Sequence, residues 1–259
     1  MALALLVLGL GFAISSISGL LGIGGGIVMA PALLYLPPLL GVGTLDMRQV
    51  TGLTITQGLF ACLSGAFRHD SHRCVSRPLV LWMGVTITLA ALAGSILSSW
   101  IANDTLMILF AALALVAAVL MCFPRHDGVD VGDASALPFD RPRAVLIALS
   151  VGLLGGTVGQ GGSFILIPLM LFLLRLPTRV VIGSNLALVC FSSLAGFAGK
   201  LATGQIPLLL GAVLLVGAIP GAQLGSVLSQ RTSPRRLRIA LAVVVGLSAL
   251  GIATDVFLP

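Results

Sequence analysis

Glutamate is missing from this sequence altogether, and its eight acidic residues are all aspartate. Asp46, Asp70, Asp104 and Asp255 lie near the ends of apolar runs and the other four fall in one polar stretch. No carboxylate stands mid-segment, which excludes an intramembrane proton relay of the usual carboxylate kind. Metal-ligand spacing is lacking too. Cys62, Cys74, Cys122 and Cys190 form no CxxC pattern and read as small, mostly buried hydrophobes, while His69, His72 and His126 fall in polar loops. With no His, Asp or Cys cluster at a common depth, nothing points to an enzyme, a cofactor or a bound metal. Charge is scarce in general, at 8% of residues against 58% hydrophobic, where ordinary globular chains carry about 25% charge. Such a chain cannot cover a soluble domain with polar surface. It is expected to be an all-α integral membrane protein, because its apolar residues run continuously instead of alternating as in a barrel.

What is present are ten apolar segments, at 2–21, 27–40, 49–66, 79–101, 105–123, 144–158, 164–176, 180–199, 207–229 and 237–258. The net charge of +6 does not indicate nucleic acid, since the basic residues fall in short clusters between those segments. The first run lacks the positive flank of a signal peptide. One long polar stretch, 124–143, lies near the midpoint and reads as a solvated linker. It divides a first repeat, 1–123, from a second, 144–259.

The two parts match. A shift of 137 residues lays GLLGIGGGIVMAP (Gly19 to Pro31) on GTVGQGGSFILIP (Gly156 to Pro168), and a shift of 131 then lays Arg48, Gly52, Gly65, Gly94 and Ser95 on Arg179, Gly183, Gly196, Gly225 and Ser226. Five segments per copy is odd, so the second copy is expected to enter the membrane inverted. Charge agrees: one side collects 12 of the 14 Lys and Arg residues, leaving Arg48 and Lys200 opposite. The basic side is expected to be cytoplasmic, with both termini outside a bacterial inner membrane. The short segments 27–40 and 164–176 each start at the glycine cluster and read also as second arms of re-entrant hairpins, which would give six full crossings and two hairpins instead of ten crossings, among about 8 to 10 transmembrane segments.

Gly22, Gly24, Gly25 and Gly26 in the first copy correspond to Gly159, Gly161, Gly162 and Ser163 in the second, with Gln160 opposite Ile23. Small residues of this kind serve helix packing. Set at matching places in inverted repeats and each followed by proline, they also mark broken helices, the commonest sequence pointer to a transporter site near the midplane. A helix restarting there aims free N–H groups at the break, and the implied ligand is an anion. Thr51, Thr54 and Gln57, spaced by three, and the matched Ser184 and Asn185 are candidate ligands for it; such groups also bond their own helix or glue neighbours together. Arg48 and Arg179 read as interfacial anchors or as paired gates, and Lys200 as an interfacial anchor.

These residues carry a resemblance. GLLGIGGGIVMAPALL, its second copy GTVGQGGSFILIPLML, and the ends GSILSS and GSVLSQ resemble the TauE/SafE family of sulfite exporters. Ser163 and Gln160 depart from a fully glycine second motif. The resemblance implies a transporter of small sulfur-containing anions such as sulfite, sulfonates or thiosulfate, in a lipid bilayer, with no nucleic-acid partner. The expected mechanism is export by alternating access, with the anion held at the paired glycine breaks. An anion-selective channel and a non-transporting membrane scaffold are the alternatives; the residues do not decide the oligomeric state.

Overall fold

The computed structural model describes residues 1–21, 26–66, 76–122, 139–159 and 162–229. These form α1 (Ala2–Leu21), α2 (Gly26–Leu39), α3 (Met47–Ala66), α4 (Arg77–Leu97), α5 (Asn103–Cys122), α6 (Arg141–Val158), α7 (Ser163–Phe172), α8 (Thr178–Ala202) and α9 (Leu208–Ser229). No strand occurs among the described residues. Most of the linker, the three histidines, Cys74 and the tenth apolar segment lie outside them.

Five of these helices, α1, α4, α6, α8 and α9, are long and apolar enough to cross a membrane. Two are not. The 14 residues of α2 and 10 of α7 rise roughly 21 and 15 Å, against about 30 Å of hydrocarbon. Backbone conformation explains where the second short helix starts. Asp140 caps α6 by accepting from the Arg143 amide, with Pro142 in the first turn, and Gly159 ends it in a left-handed conformation, φ 74°. Gly162, at φ 75°, then starts α7. Only glycine enters that region without steric cost, so the glycines make the break.

The loop after α2 returns to the start of α1, where Gly43 sits within 4 Å of Leu3 once a Cβ is added; α1 and α2 therefore form a hairpin. Beside it, α3 is enclosed on every side from Val50 to Leu59, although it carries Thr51, Thr54, Thr56 and Gln57. Lipid-facing positions are apolar instead: Leu81, Val85 and Leu89 on α4 and Leu146 and Leu149 on α6 are exposed, at helical spacing that paves one stripe of each helix. The Arg141 guanidinium lies 5.7 Å from the Trp82 ring centroid and joins the starts of α4 and α6.

Two close seams hold the bundle. In the first, α1 and α9 run parallel, with Gly11 against the Leu214 carbonyl, Gly19 against Ala222, Gly217 against Leu8 and Gly221 against Phe12. In the second, α4 and α6 run parallel, with Gly94 against Leu153, Gly152 against Ile87 and Ala90, and Gly156 against Ala91. Without side chains at these positions the backbones approach closely. The seams correspond residue by residue: Gly156 is 137 positions on from Gly19, and Ala222 is 131 on from Ala91, the shifts by which the sequence halves match. Helix α1 thus packs on α9, and α6, the first described helix after residues 123–138, packs on α4.

Gly19→Ala sets a methyl against the Ala222 backbone, whereas Gly9→Ala on the same helix meets open space. The first is expected to lower stability by about 1–3 kcal/mol and the second to leave it unchanged, as thermal unfolding of the solubilised protein would measure. An equal response at both positions would refute the α1–α9 seam.

Candidate functional site

The described part of the second glycine break lies against α3. Thr54 Oγ1 donates to the Gly159 carbonyl at 2.9 Å, and a Cβ on Gly159 would run into the Thr51 carbonyl. Thr51 and Thr54 stand four and seven residues into α3, roughly 6 and 10 Å along it. The described part of the break thus lies between the start and the middle of α3. Thr51, Thr54 and Gly159, all expected at the site, are brought together.

Between them lies a residue expected elsewhere. Lys200 reads from the sequence as an interfacial anchor, but its side chain is fully buried. Its Nζ donates to Thr51 Oγ1 at 3.0 Å, Ser98 Oγ at 2.9 Å, Gln205 Oε1 at 3.0 Å and the Thr157 carbonyl at 3.3 Å. The correction has a physical reason: α8 continues past the expected end at 199 to Ala202, so Lys200 is still inside the bundle, ringed by α3, the end of α4, the end of α6 and the α8–α9 turn.

The hydrogen bonds around it suit an ammonium. The Thr51 hydroxyl donates to the Arg48 carbonyl at 2.9 Å and the Ser98 hydroxyl to the Ser95 carbonyl at 2.6 Å. The Gln205 amide nitrogen donates to the Ser95 carbonyl and to Thr203 Oγ1, which turns its oxygen toward Lys200. All four neighbours can thus present lone pairs, as three N–H donors require. No carboxylate answers the charge among the described residues, whose one reported ion pair is Arg143 with Asp140. Glycines bring these groups within reach: a Cβ on Gly52 would collide with the Gln205 carbonyl, and one on Gly199 with the Ser95 hydroxyl. Lys200 is also the chain's single lysine beside thirteen arginines, the one sequence signal that set it apart.

The other expected residues divide. Gln57 turns away, donating to Ser15 Oγ on α1 at 2.8 Å, so α3 reaches Gly159 with Thr54 and α1 with Gln57. The Gln57 Oε1 and Ser18 Oγ atoms are buried without a partner among the described residues. Ser184 Oγ accepts from the Ser76 amide at 3.2 Å, and Asn185 is buried with its Oδ1 unpaired among the described residues. Arg48 ties α3 to the α4–α5 turn through Nε and Nη2 bonds to the Ile101 carbonyl at 3.2 and 2.8 Å. Gly26 is buried at the start of α2, Gly162 starts α7, and Ser163 and Arg179 lie in helices α7 and α8. Gly22, Gly24, Gly25, Gln160 and Gly161 lie outside the described residues. A small pocket beside Gly162 is lined by Leu113, Val151, Leu154, Val158 and Ile165; such apolar walls suit no anion.

The family described as sulfite exporter TauE/SafE matches residues 7–252. The chain is 23% identical over 251 residues to the probable membrane transporter protein YunE of Bacillus subtilis, covering 91% of this chain and 92% of that protein. It is 22% identical over 251 residues to the probable membrane transporter protein MJ0441 of Methanocaldococcus jannaschii, covering 93% and 91%. Over 222 residues it is 26% identical to the probable membrane transporter protein YdhB of Bacillus subtilis, covering 83% and 86%. No solved structure matches at a significant level.

Gly159→Ala combines a left-handed conformation with a collision at the Thr51 backbone and is expected to cost more than about 2 kcal/mol. Thermal unfolding in detergent measures it; a variant as stable as the parent would mean that α3 does not pack on the break as described.

Proposed function

We propose that this chain, which belongs to the sulfite exporter TauE/SafE family, carries small sulfur-containing oxyanions out of the cell by alternating access. The observation that carries the reading is the Lys200 ammonium, enclosed with four neutral oxygens and no counter-ion among the described residues, beside the second glycine break. A buried charge of this kind costs several kcal/mol even after relaxation. Capping the end of α6 is the bland explanation, since a cation is favourable at a helix C-terminus. A neutral donor serves that purpose as well, and Thr54 already does so at Gly159. What a neutral donor cannot do is draw an anion out of water.

The repeated seams support two inverted halves, 1–123 and 144–259, joined by a cytoplasmic linker. Movement of one half against the other would open the Lys200 cluster to alternate sides. Thr51, Thr54, Gly159, Gly161 and Gly162 would then meet the anion with Lys200, and Gln57, Ser184 and Asn185 would serve the first break with Gly22, Gly24, Gly25 and Gly26. Gln160 and Ser163, the departures in the second motif, would set which oxyanion fits. Arg48 and Arg179 are assigned the two gates, in a bacterial inner membrane with both termini outside. Lys200 is sealed on every side, which favours a carrier over an open channel. Direction follows from charge: an interior-negative potential favours expelling each negative charge by about 2.3 kcal/mol per 100 mV, so export needs no coupling ion.

Flux of labelled sulfite and of a small sulfonate in proteoliposomes, with and without an imposed potential, tests the reading. Saturable flux that follows the potential is expected, with loss of flux but retained insertion in Asn185→Ala and Gly162→Leu. Unsaturable flux would establish a channel, and no flux in folded protein a scaffold.

A further inference from the structure

Charge at the Lys200 cluster can be counted. Every atom that meets the ammonium belongs to a group without a net charge: two hydroxyls, one amide and one peptide carbonyl. From α3, α4, α6 and the α8–α9 turn no carboxylate, imidazole or thiol faces it among the described residues. The end of α6 contributes roughly half a negative charge and the start of α7 roughly half a positive one, and the two cancel across the break. The empty cluster therefore holds a net charge of about +1.

Resting on the transport reading above, we propose that the Lys200 cluster selects by charge as well as shape, accepting one monovalent oxyanion and rejecting the dianion of the same form. A monoanion brings the cluster to neutrality, so the loaded site crosses without a net charge. A dianion leaves one negative charge uncompensated in a cluster that contacts a single cation, with Arg48 on α3 engaged at the Ile101 carbonyl, and such a charge is expelled or protonated. The hydroxyls of Thr51, Thr54 and Ser98 and the Gln205 amide supply further hydrogen-bond donors once the anion displaces their present acceptors. They supply no second positive charge.

The test uses the full chain in proteoliposomes loaded with labelled methanesulfonate, which stays monovalent across the working range, and methylphosphonate as competitor. The two share a tetrahedral CH3–XO3 form, but methylphosphonate passes from −1 to −2 as pH rises through neutrality. Its inhibition, relative to that by unlabelled methanesulfonate at the same pH, is expected to weaken at least about tenfold between pH 6 and pH 9. Lys200→Gln is expected to lose at least about tenfold in methanesulfonate flux and to lose the discrimination. Equal inhibition by both forms in the parent protein would overturn charge selection and leave transport standing. Parent-like flux and discrimination in Lys200→Gln would overturn the assignment to Lys200. Absence of any methanesulfonate flux in folded parent protein would overturn the transport reading and this one together.

Discussion

A cation shut inside protein must be surrounded by lone pairs, and the neighbourhood of Lys200 is arranged to provide them. Four separate elements converge on one nitrogen. They can do so because Gly52, Gly159 and Gly199 carry no side chain where the backbones and hydroxyls meet. Any of those positions filled by a methyl would push an acceptor away and leave the ammonium under-bonded. The close packing of α3 with the second break and the extra turn of α8 serve the same requirement. Thr54, bonded to the Gly159 carbonyl, keeps the broken end of α6 satisfied without drawing on the lysine's protons.

Much of this architecture is legible in the sequence, because a bilayer leaves few options. Apolar runs at 2–21 and 207–229 match α1 and α9 to within one residue, since continuous hydrophobicity and a helix period are all that lipid allows. Gly159 ends α6 and Gly162 precedes α7, both in left-handed conformation. The polar positions were harder. Thr51, Thr54 and Gln57 share a spacing of three, yet Gln57 faces α1 while the two threonines face the break. Periodicity gives a face only when the neighbours are known, and α3 is buried all round.

Lys200 escaped for a different reason. At the end of an apolar run a lysine ordinarily reaches for the interface, and nothing local says otherwise. Its acceptors stand at positions 51, 98, 157 and 205, far apart in the chain, so the pocket exists only after folding. The family match spans residues 7–252, an extent that does not by itself place a charge.

The packing of α1 on α9 and of α6 on α4 bears on how the protein is made. When α1 has entered the bilayer, its partner α9 lies nearly 190 residues further along the chain, roughly 10 to 40 s of synthesis at about 5–20 residues per second. During that interval Gly11 and Gly19 face lipid or a borrowed neighbour, with none of the close packing that later defines the helix. Half the chain released early would hold an α1 and an α4 with no proper seam for either. Assembly is therefore an all-or-nothing event near the end of translation, and a truncated product is a natural substrate for membrane quality control.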